Sequence, residues 1–346
     1  MRRGRGLLKP PLAPRDRIVS SGSEEVGSGT AEVFVAKEWN EYYDKYLDVR
    51  VRQSDSFRVY CKGWDRPGNA EKPVLFLIHG AGHSSMSWAL FAQEIENVRI
   101  AAIDMRGHGA TVVASDESDD YSAETLVDDV LAVLCKLVEQ QTVEAKTGLV
   151  MCGHSMGGAI AIRACASALA EPLFPWTVQS LVVIDMVEGT AMHALPFMTQ
   201  LIAQRPASFA TLKEAYRYAL SNSPFTCKNV DSLAVSLPSF LVKTAEERWV
   251  WRTDLKTTEP FWRGWFEGLS ETFLARCKVP KLLILAGTDR LDTPLTVGQM
   301  QGKFQLKLLP WVGHVVQEDA PGATAQVVQE FIDRVSAPIH IAVAPI

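Results

Sequence analysis

The chain of 346 residues is 47% hydrophobic and 22% charged, which supplies a sizeable core and excludes global disorder. Its 35 basic against 40 acidic residues leave a net charge of −5, the wrong sign for a nucleic-acid footprint. No apolar run reaches the roughly 18 residues that cross a bilayer, and the six dispersed cysteines form no Cys-x-x-Cys pair, so they read as reduced core thiols of an intracellular protein.

Residues 1–38 read as a disordered tail. Arg2, Arg3, Arg5, Arg15 and Arg17 are interspersed with proline and glycine, without the apolar stretch of a secretory signal. Absence of a signal and of a membrane span points to the cytoplasm or nucleus. Phe57–Cys61 suggests an early strand. Val74–Ile78 is an unbroken apolar run, as expected of a strand buried on both faces. Val98–Asp104, Gly148–Cys152, Leu181–Ile184, Lys281–Ala286 and Phe304–Leu309 read the same way. Between them, Leu126, Val130, Val133, Leu134 and Leu137 stripe one face of a helix, Gly157–Ala170 is an alanine-rich helix, and Val327, Val328, Phe331 and Ile332 stripe a last one. Such alternation predicts an α/β fold with a mostly parallel, doubly wound sheet. Residues 39–185 and 277–346 form its two parts, the latter with a C-terminal tail. From 186 to 276 no buried strand is legible. Thr211-Leu-Lys-Glu214 has the form of a capping box, and Trp249, Trp251, Trp262 and Trp265 crowd downstream. A helical cap inserted over the C-terminal strand ends, where ligands bind in such sheets, is the economical reading.

The sharpest motif is Gly153-His-Ser155-Met-Gly157, a Gly-x-Ser-x-Gly between a buried strand and a helix. That context makes a nucleophile elbow: the turn is too tight for Cβ atoms two residues either side, and the hydroxyl projects at the top of the sheet. A serine needs a base. His314, after the last strand and before the last helix, alone among the seven histidines has the expected late position. The acid that orients it must follow a strand, and Asp185, Asp289 and Asp292 all do. Pattern alone leaves the choice open, leaning to Asp289. His79-Gly80-Ala81-Gly82 resembles the glycine-rich oxyanion loop of esterases, so the N–H groups of Ala81 and Met156 are the expected oxyanion donors. Asp104-Met-Arg106-Gly-His108-Gly109 reads as a structural loop, and His79, His83 and His154 as residues that orient loops. No metal-binding or phosphate-binding motif occurs, and no cofactor is expected.

Beyond these general motifs, His79–Trp88, Gly153–Ile160, Ile184–Met192, Phe261–Ser270, Leu285–Asp292 and Gly298–Phe304 resemble the protein phosphatase methylesterase family of α/β hydrolases, over roughly residues 39–337. The Val-Glu-Gly-Thr-Ala-Met, tryptophan-rich and Gly-Gln-Met-Gln-Gly-Lys-Phe segments carry the specificity. The resemblance implies removal of the methyl ester from the C-terminal leucine of the type 2A protein phosphatase catalytic subunit, with Asp185 as triad acid beside Ser155 and His314. Family members carry glycine where this chain has Ala81, a change that keeps the backbone donor. The long acidic cap insert of animal members is missing between Val235 and Arg252. A small-molecule esterase or lipase, and a non-catalytic phosphatase-binding scaffold, are the competing readings. Because methanol offers little to recognise, specificity must lie on the acyl side, and the four tryptophans are candidates for its wall.

Overall fold

The computed structural model describes residues 34–336 apart from 53, 115–117, 141–142, 223–226 and 288–290. The expected N-terminal tail lies outside the described residues up to position 33, as do the last ten residues and Asp289; residues 34–38, read as part of that tail, are instead packed, with the Phe34 ring 4.3 Å from that of Tyr216 and Lys37 N–H donating to Ala234 O at 3.0 Å.

Before the cap region the chain runs β1 (Lys45–Arg50), β2 (Ser56–Lys62), β3 (Val74–Ile78), α1 (Ala89–Glu94), β4 (Arg99–Ile103), α2 (Ala123–Glu139), β5 (Gly148–His154), α3 (Met156–Ala170) and β6 (Thr177–Ile184). After it come β10 (Lys281–Leu285), α10 (Thr293–Met300), β11 (Gln305–Leu308), α11 (Val316–Asp319) and α12 (Pro321–Ser336). These strands make one eight-stranded sheet in the order β1-β2-β4-β3-β5-β6-β10-β11. β1, β2 and β4 pair antiparallel, and from β4 to β11 every pairing is parallel.

The apolar runs produce this sheet by serving both faces. In β3, Val74, Phe76 and Ile78 enter one core cluster with α2 and α3, while Leu75 and Leu77 enter a second with α1 and α12. Leu149 and Met151 divide from Val150 and Cys152 in the same way along β5, the period of two that a strand imposes. α3 packs close to β5 because its buried face is mostly alanine and glycine. The edge strand β1 escapes the sequence reading because its Lys45, Asp48 and Arg50 break the apolar pattern.

The stretch from 186 to 276 departs from the helical expectation. It holds α4 (Glu188–Ala203), α5 (Leu212–Asn222), α6 (Val230–Phe240), α7 (Leu255–Thr258), α8 (Trp262–Phe266) and α9 (Leu269–Glu271), but also β7 (Ser208–Phe209), β8 (Leu241–Lys243) and β9 (Trp249–Trp251) in a small antiparallel sheet, order β7-β9-β8. Strands of two or three residues are too short for alternation to register in a sequence window. A separate apolar cluster of Phe209, Ala215, Tyr216, Leu233 and Leu237 fills the space beneath. Glu214 N–H donates to Thr211 Oγ1 at 3.1 Å, and the Glu214 carboxylate reaches back to Ala210 N at 2.7 Å, a capping box shifted by one residue on its return bond.

Candidate active site

Strand register gathers the site. Ile78 of β3 lies beside Gly153 of β5, His154 beside Ile184 of β6, Ile184 beside Ile284 of β10, and Leu285 beside Leu308 of β11. The residues that follow each strand therefore emerge along one edge of the sheet, at its carboxyl ends, where open α/β sheets bind ligands.

Ser155 sits between β5 and α3 with φ 52° and ψ −122°, a strained backbone for a residue with a side chain. Its N–H donates to Ile184 O at 3.0 Å, and its carbonyl receives Ala159 N at 3.1 Å, so both neighbours hold the strain in place. The glycines around it are obligatory, for reasons more specific than mutual crowding. A Cβ on Gly153 would collide with the carbonyl of Gly157, whereas one on Gly157 would collide with the carbonyls of Ile78 and His79. Gly157 is thus the contact point between α3 and the loop after β3. Gly80 faces the His154 ring, 3.0 Å from where its own Cβ would be.

His314 Nε2 lies 3.0 Å from Ser155 Oγ, and His314 Nδ1 lies 2.7 Å from Asp185 Oδ2. The other carboxylate oxygen, Asp185 Oδ1, accepts Ala286 N–H at 2.9 Å. Asp185 is buried and also has positive φ, 48°. Because Asp185 accepts at Nδ1, the ring carries its proton there and presents a bare Nε2 to the hydroxyl. Asp292 is elsewhere: it caps α10 through Leu295 N at 2.9 Å.

The loop Gly80–Gly82 is held by two neutral imidazoles. His79 Nδ1–H donates to Gly80 O (2.8 Å) and its Nε2 accepts Met105 N–H (3.0 Å). His108 Nδ1–H donates to Arg106 O (2.8 Å) and its Nε2 accepts Gly82 N–H (2.9 Å). Each ring must be neutral to accept, and burial lowers His79 to about 4 and His108 to about 3. His154, lowered by burial to about 3, donates Nε2–H to the carbonyl of His314 at 2.8 Å. The Asp104–Gly109 loop is braced from within: Asp104 accepts Ser85 N–H and Ala110 N–H, and Arg106 forks onto Asp129 at 2.8 and 2.9 Å in full burial. Met156 opens α3, so its N–H has no carbonyl within the helix, and Ala81 and Met156 both line the pocket over Ser155.

That pocket is about 410 Å³ and mostly apolar, with Met198, Leu201, Ile202, Leu237 and Phe240 among its walls. Only two of the four tryptophans belong to it. Trp251 and Trp265 line it. Trp262 is buried in the main core with its Nε1 on Thr258 Oγ1 at 2.8 Å, and Trp249 packs on the small cluster under β9. The pocket also holds an ionisable pair to which no motif pointed. Glu318 is buried and its Oε2 is 3.5 Å from His83 Nδ1. Burial raises its carboxyl to about 8 and pushes His83 well below its ordinary range, so the two meet as neutral groups. Among the described residues no helix is long and apolar enough to cross a membrane and no group of three or more His, Cys, Asp or Glu could hold a metal.

Residues 74–327 match the model of the alpha/beta hydrolase family. Among solved structures, E-2-(acetamidomethylene)succinate hydrolase superposes at TM-score 0.62 with 19% identity, covering 84% of this chain and 98% of that one; at this identity the likeness shows the fold alone. The relatives say more. "Probable protein phosphatase methylesterase 1" of Caenorhabditis elegans is 43% identical over 299 residues, 86% of this chain and 77% of the relative. "Protein phosphatase methylesterase 1" of Homo sapiens is 37% identical over 382 aligned positions, 96% and 94%, and that of Schizosaccharomyces pombe 38% over 320, 90% and 90%.

The chain belongs to the protein phosphatase methylesterase family. It is a carboxylic ester hydrolase of the α/β-hydrolase fold. In this methylesterase three of the segments that carried the resemblance meet. Glu188 accepts the N–H groups of Gly268 and Ser270, each at 2.7 Å, and Ser270 Oγ donates to Asp292 Oδ2 at 2.8 Å. The Val187-Glu-Gly-Thr190 segment, the end of the tryptophan-rich stretch and the loop after β10 are thereby tied together immediately behind Asp185.

Proposed function

We propose that this methylesterase demethylates the C-terminal leucine methyl ester of the type 2A protein phosphatase catalytic subunit, with Ser155 as nucleophile, His314 as base and Asp185 as the acid that orients it. The observation that carries the chemistry is the unbroken hydrogen-bond chain from Ser155 Oγ through His314 to Asp185, 3.0 and 2.7 Å long, opening into an apolar pocket. The names of the relatives support a protein phosphatase as the ester's owner.

His314 takes the hydroxyl proton as Oγ attacks the ester carbonyl, and Asp185 stabilises the imidazolium. The tetrahedral oxyanion forms against the N–H groups of Ala81 and Met156, where each donor contributes about a hundredfold or more. Imidazolium then protonates departing methanol. Water, deprotonated by the same ring, cleaves the acyl-enzyme and frees the carboxylate. Since the alcohol is a single carbon, discrimination falls to the acyl group, and the apolar walls suit a leucine side chain. The test is methanol release from a tail peptide bearing the C-terminal methyl ester, free and within the whole phosphatase. Hydrolysis of short acyl esters with no turnover of either methylated substrate would replace this reading with a general esterase.

A further inference from the structure

One pocket residue has a charge the reaction leaves unused. Arg205 follows α4, lines the pocket, and lies with its guanidinium carbon 3.6 Å from the centre of the Trp251 ring. Trp251 is itself fixed, its Nε1 donating to Pro206 O at 2.9 Å and its edge packed on Phe209. Among the described residues the guanidinium has no hydrogen-bond or ion-pair partner. The pocket's two carboxyl side chains do not serve it: Asp185 is committed to His314 and Ala286 N, and Glu318 is held in its acid form. Burial lowers Arg205 to about 10, still far above neutrality, so the cation persists.

A largely buried cation with only an aromatic face for company is costly unless a ligand supplies the missing anion. A guanidinium stacked on an indole keeps its donor edge open, and that fork matches a carboxylate bidentately. With Arg205 the single Lys or Arg among the described residues lining a mostly apolar pocket, one negative charge is the complement, which favours a carboxylate over a doubly charged phosphate. The charge must also sit on the acyl side, since the alcohol is methanol.

We propose that Arg205, braced by Trp251, is the specificity residue that selects esters whose acyl portion carries a carboxylate, an acidic side chain a few residues ahead of the methylated C-terminus. This rests on the peptide-ester reading above.

The experiment measures methanol release from hexapeptide methyl esters in which each of the five positions before the esterified residue carries Asp or, in the paired peptide, Asn. At one position the wild type should favour Asp at least about tenfold in kcat/KM. Arg205→Gln should reduce that ratio to about one, and Arg205→Lys should keep part of it; the ratio rather than the rate is the readout, which a general loss of fold or chemistry does not move. Equal rates for Asp and Asn at every position in the wild type overturn the proposal even if Arg205→Gln does not fold. So does a preference that survives the substitution. If no peptide ester is turned over, the peptide reading has failed, and the same ratio is read on methyl half-esters of aliphatic dicarboxylic acids against their terminal amides. A wild-type preference for the acids, abolished in Arg205→Gln, then sustains the anchor, and indifference sinks it.

Discussion

Replacing Glu318 by glutamine should stabilise the protein above neutrality and do almost nothing in mild acid. The carboxyl is fully buried on the pocket floor beside a neutral His83, and burial lifts it from its ordinary 4.5 to about 8. The folded state therefore holds a proton that the unfolded chain releases from pH 4.5 upward. The contribution of Glu318 to stability falls as pH rises through that window and levels off above 8. At ~1.4 kcal/mol for each tenfold change in proton affinity, the full penalty is about 5 kcal/mol above pH 8, and about 3 kcal/mol at pH 7. Glutamine has the same shape and cannot ionise, so it escapes the penalty. Urea unfolding at pH 5 and pH 8 measures it: the variant's advantage should be under about 1 kcal/mol at pH 5 and several kcal/mol at pH 8. A variant whose offset from wild type is the same at both pH values would refute the assignment of a neutral buried acid.

Ser155→Ala should cut turnover by more than about a thousandfold while leaving the unfolding midpoint close to wild type. Asp185→Asn should cost about ten-thousandfold through loss of the imidazole's orientation, and Asp289→Asn far less; steady-state kinetics on one ester substrate ranks them, and the opposite order would move the acid to Asp289. Gly157→Ala drives a methyl into the carbonyls of Ile78 and His79, so the loop after β3 must shift; activity should collapse together with a drop in melting temperature, read by circular dichroism and turnover on the same sample. His79, His108 and His154 are held neutral by burial, to about 4, 3 and 3. The unfolded chain takes up those protons first, so stability should fall as pH drops below about 6.5, and a urea midpoint that stays flat down to pH 5 would contradict the bridging roles given to these rings.

The strands that hold the site were legible because burial on both faces leaves no polar position, as in Val74–Ile78. The edge strand Lys45–Arg50 was not, since its exposed residues carry the charges that break the signal. Ser155 and His314 could be read from motif and position. The carboxylate that meets His314 could not be read from pattern, because β6 and β10 lie side by side with Ile184 opposite Ile284 and chain order says nothing about which carboxylate turns toward the imidazole; only the resemblance favoured Asp185. Trp262 was misplaced among the pocket residues because an indole that lines a cavity and one that fills a core look alike in sequence. Arg205 and Glu318 went unnoticed for the converse reason. A charged side chain is read as solvated until its neighbours, contributed by distant elements, are known.

Ser155 and His314 meet across 159 positions of the chain, and His314 meets Asp185 across 129. The serine sits at the middle of the sheet, and the histidine that meets it lies on the loop beyond the outermost strand. On the proposed triad, a fragment ending before residue 314 lacks the base and should not hydrolyse an ester.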